Sequence, residues 1–173
     1  RDAAVAGAGG VLIISGGFGE SGDAGLALQQ RLLDAARAGG VRVLGPNTSG
    51  FIRPASGCAA SFAPGVDRLE AGPVAVVAQS GGVNLALTFH LEALGIGVSI
   101  AVGLGNAIDV DAADVLARLA DDAHTRAIVL HLEGVRDGRR LYEVLRALTP
   151  RKPVVVVTPG RADIGAFAQS HTG

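Results

Sequence analysis

Val74-Ala-Val-Val-Ala-Gln-Ser-Gly-Gly82 is the stretch from which the fold can be read. Its five leading apolar residues are too few for a helix and too uniformly apolar for a strand with one wet face, so they read as a strand buried on both sides. Gln79 to Gly82 then form a turn, and an apolar helix pattern runs over about 83–94. Downstream the same unit recurs: strand 98–102, helix 112–120, strand 127–132, helix 139–148, strand 154–157. Leu141, Val144, Leu145 and Leu148 share one helix face at i, i+3, i+4 and i+7. Alternation of this kind predicts an α/β fold with a parallel sheet, because parallel strands need crossover connections and those crossovers are right-handed.

Upstream, Val11-Leu-Ile-Ile-Ser15 reads as a buried strand, a helix follows over about 23–38, and a second strand covers 41–44. Gly45-Pro46-Asn47 closes that strand, since proline cannot continue the ladder. From there to Gly72 the chain is rich in Pro, Gly, Ser and Ala and has no periodicity. That segment is expected to be a linker and the domain boundary. The organisation expected is therefore a first domain over 1–66, a linker to about 72, and a second domain over 73–173.

The chain has 173 residues, 49% of them hydrophobic but only 3% aromatic, with 26 glycines. A core of Ala, Val, Leu and Ile is implied, as in compact α/β proteins. The net charge of -1 is spread along the chain, which argues against nucleic acid and anionic membrane as partners. Cys58 stands alone, so neither an internal disulfide nor a multi-cysteine metal site is expected, and a cytoplasmic setting follows. There is neither a spanning-length apolar run nor a leader pattern. With Arg1 at the start, no methionine, and Gly173 ending what reads as a helix opening, the chain is expected to be a piece of something longer.

Ligands of such sheets bind beyond the carboxyl ends of the strands. Those ends carry Gly45-Pro-Asn-Thr-Ser-Gly50, Gln79-Ser-Gly-Gly82, Gly103-Leu-Gly-Asn106, Glu133-Gly134 and Thr158-Pro-Gly-Arg161, which should meet on one rim. Gln79, Ser80, Gly81 and Gly82 form a candidate phosphate cradle, with backbone N–H groups facing outward at a helix N-terminus. The same residues also fit an ordinary turn with Ser80 as N-cap. Ala78-Gln-Ser-Gly-Gly82 further resembles a loosened nucleophile elbow, which would make Ser80 a hydrolase nucleophile.

His171 lies in Gln169-Ser-His-Thr-Gly173, a small-residue setting in which an imidazole can be approached closely. Glu133 closes the apolar run Ile128-Val-Leu-His-Leu-Glu133, where a carboxylate is placed to meet a partner. A carboxylate holding one imidazole nitrogen leaves the other free as a nucleophile. Asp109, Asp111 and Asp114 look like a carboxylate cluster, but Asp111 and Asp114 fit an N-cap and its N3 acid, and no metal is predicted on this chain. Gly7-Ala-Gly-Gly10 precedes a strand and so is no dinucleotide fingerprint.

In order and spacing, Gly45-Pro-Asn47, Val74 to Gly81, Gly95-Ile-Gly-Val-Ser99, Gly105-Asn106 with Asp109, Thr125 to Gly134, Pro153 to Arg161 and Ser170-His-Thr-Gly173 resemble the NDP-forming acyl-CoA synthetases. The likeness is to the succinyl-CoA synthetase α-subunit and, more strongly, to the ADP-forming acetyl-CoA synthetases. It implies the end of a Rossmann-like CoA-binding domain followed by a flavodoxin-like ligase domain, both truncated. The implied reaction turns acyl-CoA and phosphate into an acyl phosphate, passes the phosphoryl group to a histidine, and delivers it to ADP. His171 matches that histidine, Glu133 the acid that orients it, and Ser80-Gly81 the helix N-terminus gripping phosphate. Gly45, Pro46, Asn47 and Thr48 match the loop near the CoA thiol and acyl group. The resemblance further implies an ATP-grasp domain or β subunit that handles ATP, ADP and Mg²⁺, and an oligomeric enzyme. Thr48 stands where many members have cysteine, so a different acyl substrate is expected, and Thr158 stands where relatives often have lysine. A further relative is the CoA- or effector-sensing domain of fused protein acetyltransferases, from which retention of His171 separates this chain.

Overall fold

The structure, a computed structural model, describes residues 1–158. A one-turn helix α1 (Asp2–Val5) leads into strand β1 (Gly10–Leu12), helix α2 (Asp23–Ala38) and strand β2 (Arg42–Leu44). β1 and β2 pair in parallel as a separate two-stranded sheet. Leu33 and Ala36 of α2 bury against Val43, and Ile108 from the later part of the chain completes that cluster.

The remaining elements are strands β3 (Phe51–Arg53), β4 (Cys58–Ala60) and β5 (Ala71–Ala78), helix α3 (Gly81–Ala93), strand β6 (Val98–Gly103), helix α4 (Ala112–Ala120), strand β7 (Ala127–His131), helix α5 (Gly138–Leu148) and strand β8 (Val154–Val157). They build a six-stranded sheet in the order β4-β3-β6-β5-β7-β8. From β6 to β8 neighbouring strands are parallel, whereas β3 joins β6 antiparallel and pairs antiparallel with β4.

Side-chain alternation along β5 sorts the helices onto two faces. Val76 packs with Val98, Ala101 and Ile52 under Leu85, Leu87 and Leu91 of α3. Ala75 and Val77 pack on the opposite face with Leu116 and Leu119 of α4 and Leu141 and Leu148 of α5. The handedness rule explains the division. Chain order steps one way from β5 to β6 and the other way from β6 to β7 to β8, so right-handed crossovers put α3 on one side and α4 and α5 on the other. The reversal lies between β5 and β7, where the flavodoxin-like order opens its crevice.

α4 starts as expected: Asp111 Oδ1 accepts from Asp114 N at 3.0 Å, and Asp114 Oδ2 accepts from Asp111 N at 3.1 Å, a reciprocal capping box. The aperiodic segment differs from the expectation. Instead of a free linker, Phe51–Arg53 pairs with β6 at Phe51 to Val102 and Ile52 to Ala101, and Ile52 is buried. Three-residue strands are too short to show alternation, and their order comes from backbone pairing with a distant strand. β5 likewise begins at Ala71, earlier than the expected Val74, with a register shift that admits Pro73 into the strand.

Candidate functional site

Four of the strand ends singled out in the sequence meet on one rim, and Gln79 is the residue that joins three of them. Its backbone N–H donates to His131 O at 3.0 Å, tying it to β7, and its carbonyl accepts from Gly105 N at 3.1 Å beyond β6. Its side-chain Oε1 accepts from both Glu133 N at 2.9 Å and Gly134 N at 3.0 Å. A single amide therefore spans the crevice at the reversal point and fixes the backbone that carries Glu133. This orienting role is additional to the phosphate contact expected of Gln79.

Immediately after it, Ser80 is the N-cap of α3, its Oγ accepting from Val83 N at 3.4 Å. That capping bond gives Ser80 a structural role, and its φ of -73° and ψ of 126° are ordinary extended backbone and not the strained turn of a nucleophile elbow. Gly81 and Gly82 form the first turn of α3. Around them the N-terminal amides of a thirteen-residue helix face the rim, where the helix dipole favours an anion.

The Gly45–Gly50 loop is clamped against the same rim. Asn106 N donates to Pro46 O at 2.9 Å, Ile108 N to Gly45 O at 3.3 Å, and Gly103 N to Gly50 O at 2.8 Å. The Gly45-Pro46 peptide is cis, and Asn47 takes a left-handed conformation with φ of 58°. Thr48 is 2% exposed, and its Oγ1 donates to Gly103 O at 2.5 Å while accepting from Gly50 N at 2.9 Å. Its hydroxyl thus holds the loop together and does not face the rim. Gly103 is required for this docking, since a β-carbon there would overlap Ser49 Oγ.

Glu20, Gln29 and Arg136 belong to the same region and were not singled out from the sequence. Glu20 Oε1 accepts from Gly17 N at 2.6 Å and Phe18 N at 3.1 Å, while Oε2 accepts from Asn106 Nδ2 at 2.6 Å. Asn106 Nδ2 also donates to Gln29 Oε1 at 2.9 Å. Burial alone would raise the Glu20 carboxyl, but the Asn106 amide and the backbone N–H groups outweigh it and hold the group below the usual carboxylate range. The signal for Glu20 was present: it follows the glycine-rich Gly16-Gly-Phe-Gly19 beyond β1, the same strand-end position used elsewhere. Arg136 Nη1 donates to Ala107 O at 2.8 Å and Ile108 O at 2.7 Å, pinning the guanidinium between the loops after β6 and β7.

The aspartate cluster is structural. Asp109 Oδ2 accepts from Val43 N at 2.7 Å and pairs with Arg42 Nε at 2.9 Å; Arg42 also reaches Asp114, and Arg140 bridges Asp111 and Asp114. Burial works to raise the Asp114 carboxyl, yet hydrogen bonds from Arg140 and the Asp111 backbone, with the charges of Arg140 and Arg42, hold it below the usual range. Among the described residues no three His, Cys, Asp or Glu side chains are grouped to hold a metal. No helix among them is long and apolar enough to cross a membrane. His171 lies outside the described residues, as do Pro159, Gly160 and Arg161.

A reversal-point crevice, a capped helix N-terminus facing it and a docked Gly-Pro-Asn loop coincide with a family match over residues 71–173 to the succinyl-CoA ligase like flavodoxin domain. The chain belongs to this family. Its relatives include the acetate–CoA ligase (ADP-forming) I subunit alpha of Pyrococcus furiosus, 44% identical over 94% of this chain and 35% of that protein. The acetate–CoA ligase (ADP-forming) II subunit alpha of the same organism is 36% identical over 95% of this chain and 35% of its own length. Among solved structures, the dinucleotide forming acetyl-coenzyme A synthetase 1 of Ca. Korarchaeum cryptofilum, in complex with phosphate and ADP, superimposes with a TM-score of 0.91 at 35% identity, covering 99% of this chain and 37% of that one. The chain thus spans about a third of the length of these relatives. The mixed, parallel-dominated sheet is the flavodoxin-like architecture of this family.

Proposed function

We propose that the chain is the acyl-CoA and phosphohistidine part of an ADP-forming acyl-CoA synthetase. In this reading phosphate attacks the thioester carbonyl of acyl-CoA, the C–S bond breaks, and CoA leaves as the acyl phosphate forms. An imidazole nitrogen of His171 then attacks phosphorus, the carboxylate departs, and the phosphohistidine donates its phosphoryl group to ADP. Glu133 holds the imidazole with one nitrogen free for attack, and the amides around Ser80, Gly81 and Gly82 balance the phosphoryl charge.

The observation that carries the reading is the double hydrogen bond of Gln79 Oε1 to Glu133 N and Gly134 N. It ties the proposed orienting acid to the turn that opens the proposed phosphate-binding helix. The β1-α2-β2 unit belongs, in this reading, to a CoA-binding half whose Gly45-Pro46-Asn47 loop reaches the thioester. Thr48 contributes by fixing that loop. ATP, ADP and Mg²⁺ fall to an ATP-grasp domain or β subunit, in keeping with the α-subunit names of the Pyrococcus relatives. The compartment that fits this chemistry is the cytoplasm.

The test is phosphorylation of the complete enzyme by γ-labelled ATP with Mg²⁺. Acid-labile, base-stable label is expected; His171→Asn abolishes it and Glu133→Gln slows its appearance. Absence of label in wild-type enzyme that binds ATP would reject the proposal.

A further inference from the structure

The Gly45–Gly50 loop touches the opening turn of α3 at Ser49. A β-carbon built on Gly81 would stand 3.3 Å from Ser49 Cβ and 3.4 Å from Ser49 N, so the approach is as close as a glycine allows. From one turn further into α3, Asn84 reaches the same residue: Ser49 Oγ donates to Asn84 Oδ1 at 3.3 Å. Ser49 is 2% exposed and Asn84 1%, so water does not compete for this bond. The loop's other ties lead elsewhere. Gly45 O, Pro46 O and Gly50 O accept from N–H groups of β6 and the loop after it, and Thr48 Oγ1 turns to Gly103 O. Among the side-chain hydrogen bonds of the described residues, Ser49 to Asn84 is the one that joins this loop to α3.

Asn84 is an expensive residue to keep in that position. Its Nδ2 is buried with no hydrogen-bond partner among the described residues, and Thr88 Oγ1 is in the same condition one turn further along α3. A buried donor left unpaired destabilises a fold, and an alanine or leucine at 84 would carry no such donor. The neighbouring side chains of α3 that pack on the sheet, Leu85, Leu87 and Leu91, are apolar. What distinguishes Asn84 from them is its oxygen, and that oxygen is spent on Ser49.

We propose that Asn84 is a positioning residue that sets the acyl-CoA loop in register with the phosphate-binding helix. The proposal rests on the synthetase reading above, in which a phosphate at the α3 N-terminus attacks a carbonyl presented by the Gly45–Gly50 loop. The attack distance is then set by the distance between loop and helix, and a misplacement of about 1 Å costs on the order of 100-fold in rate. Asn84 acts through Ser49 and touches neither reactant. Phosphorylation of His171 by ATP requires the helix but not the loop, so it does not depend on this tie.

The experiment compares two half-reactions of the complete enzyme. One is single-turnover release of CoA from acyl-CoA and phosphate without ADP, using whichever of acetyl-, isobutyryl- and phenylacetyl-CoA the wild type consumes fastest. The other is labelling by γ-labelled ATP with Mg²⁺. Asn84→Ala should slow CoA release at saturation by about tenfold, while the half-saturating concentrations of acyl-CoA and phosphate, and the rate of labelling, stay within about twofold. Ser49→Ala should do the same, and the double variant should be no slower than either, because both remove one tie. Should Asn84→Ala fail to fold, the split between half-reactions in Ser49→Ala carries the test. Unchanged CoA release in a variant that labels overturns the positioning role alone, as do losses that multiply in the double variant or labelling that falls in step with CoA release. A wild type that binds ATP and does not label, or that labels and consumes none of the three thioesters, overturns the synthetase reading and this role with it.

Discussion

Substituting Gln79 in two ways should separate the bond it makes to the Glu133 backbone from the phosphate contact proposed for it. Gln79→Leu removes the acceptor shared by Glu133 N and Gly134 N. At about 1 kcal/mol net per hydrogen bond, the loss of two weakens the local closure by about 2 kcal/mol, or roughly 30-fold in the opening equilibrium. Gln79→Glu keeps an acceptor oxygen in place, and a charged acceptor binds N–H groups more strongly, so the loop should stay closed. In the proposed site its new charge would face the incoming phosphate. At about 5 Å and an effective dielectric constant of about 20, each pair of like unit charges costs about 3 kcal/mol, a factor of about 100 in phosphate use. Amide hydrogen exchange read over residues 132–136 should thus rise roughly 30-fold in Gln79→Leu and stay slow in Gln79→Glu. The KM for phosphate in the acyl-CoA-consuming direction should rise steeply in Gln79→Glu. Unchanged exchange in Gln79→Leu would refute the structural half of this reasoning, and wild-type use of phosphate by Gln79→Glu the chemical half.

Gly103→Ala should lower the thermal midpoint by roughly 2 to 10 °C, since the added methyl overlaps Ser49 Oγ and overpacking costs about 1–3 kcal/mol. Adding Ser49→Ala should recover part of that drop, and calorimetry showing full stability in the single variant would refute the close approach. His131 is 6% exposed with Nδ1 unpartnered; burial pushes its imidazole below the ordinary range, and the Glu133 charge only partly opposes this. The unfolded chain therefore takes up a proton that the native state refuses, and stability should be full above the ordinary histidine pKa of about 6.5 and fall as the pH drops below it. Melting curves between about pH 7.5 and 5.5 should show this slope, and His131→Leu should flatten it; an identical slope in the variant would assign the titration elsewhere.

Most regular elements were legible because they rest on local periodicity. Helices 23–38 and 112–120 and strand 154–157 sit where the pattern put them, and their apolar residues recur at the spacing that one buried face requires. The strand-to-helix turns were legible for the same reason, which is why Gln79, Ser80 and Glu133 could be named as candidates. What spacing cannot convey is which distant groups end up in contact. That Gln79 reaches Glu133 N across 54 positions, and that Glu20 and Gln29 converge on Asn106, depend on strand order and on the reversal between β5 and β7. The segment 51–60 has no periodic signal, because its order comes from backbone pairing with β6 and not from its own side chains. Thr48 shows the same division: the resemblance put it in the loop near the CoA thiol, and only the packed loop shows its hydroxyl turned inward to Gly103 O and Gly50 N. Local chemistry wrote the elements of this protein and their turns, whereas the sharing of hydrogen bonds among remote backbone groups is a property of the packed sheet and exists only once it has formed.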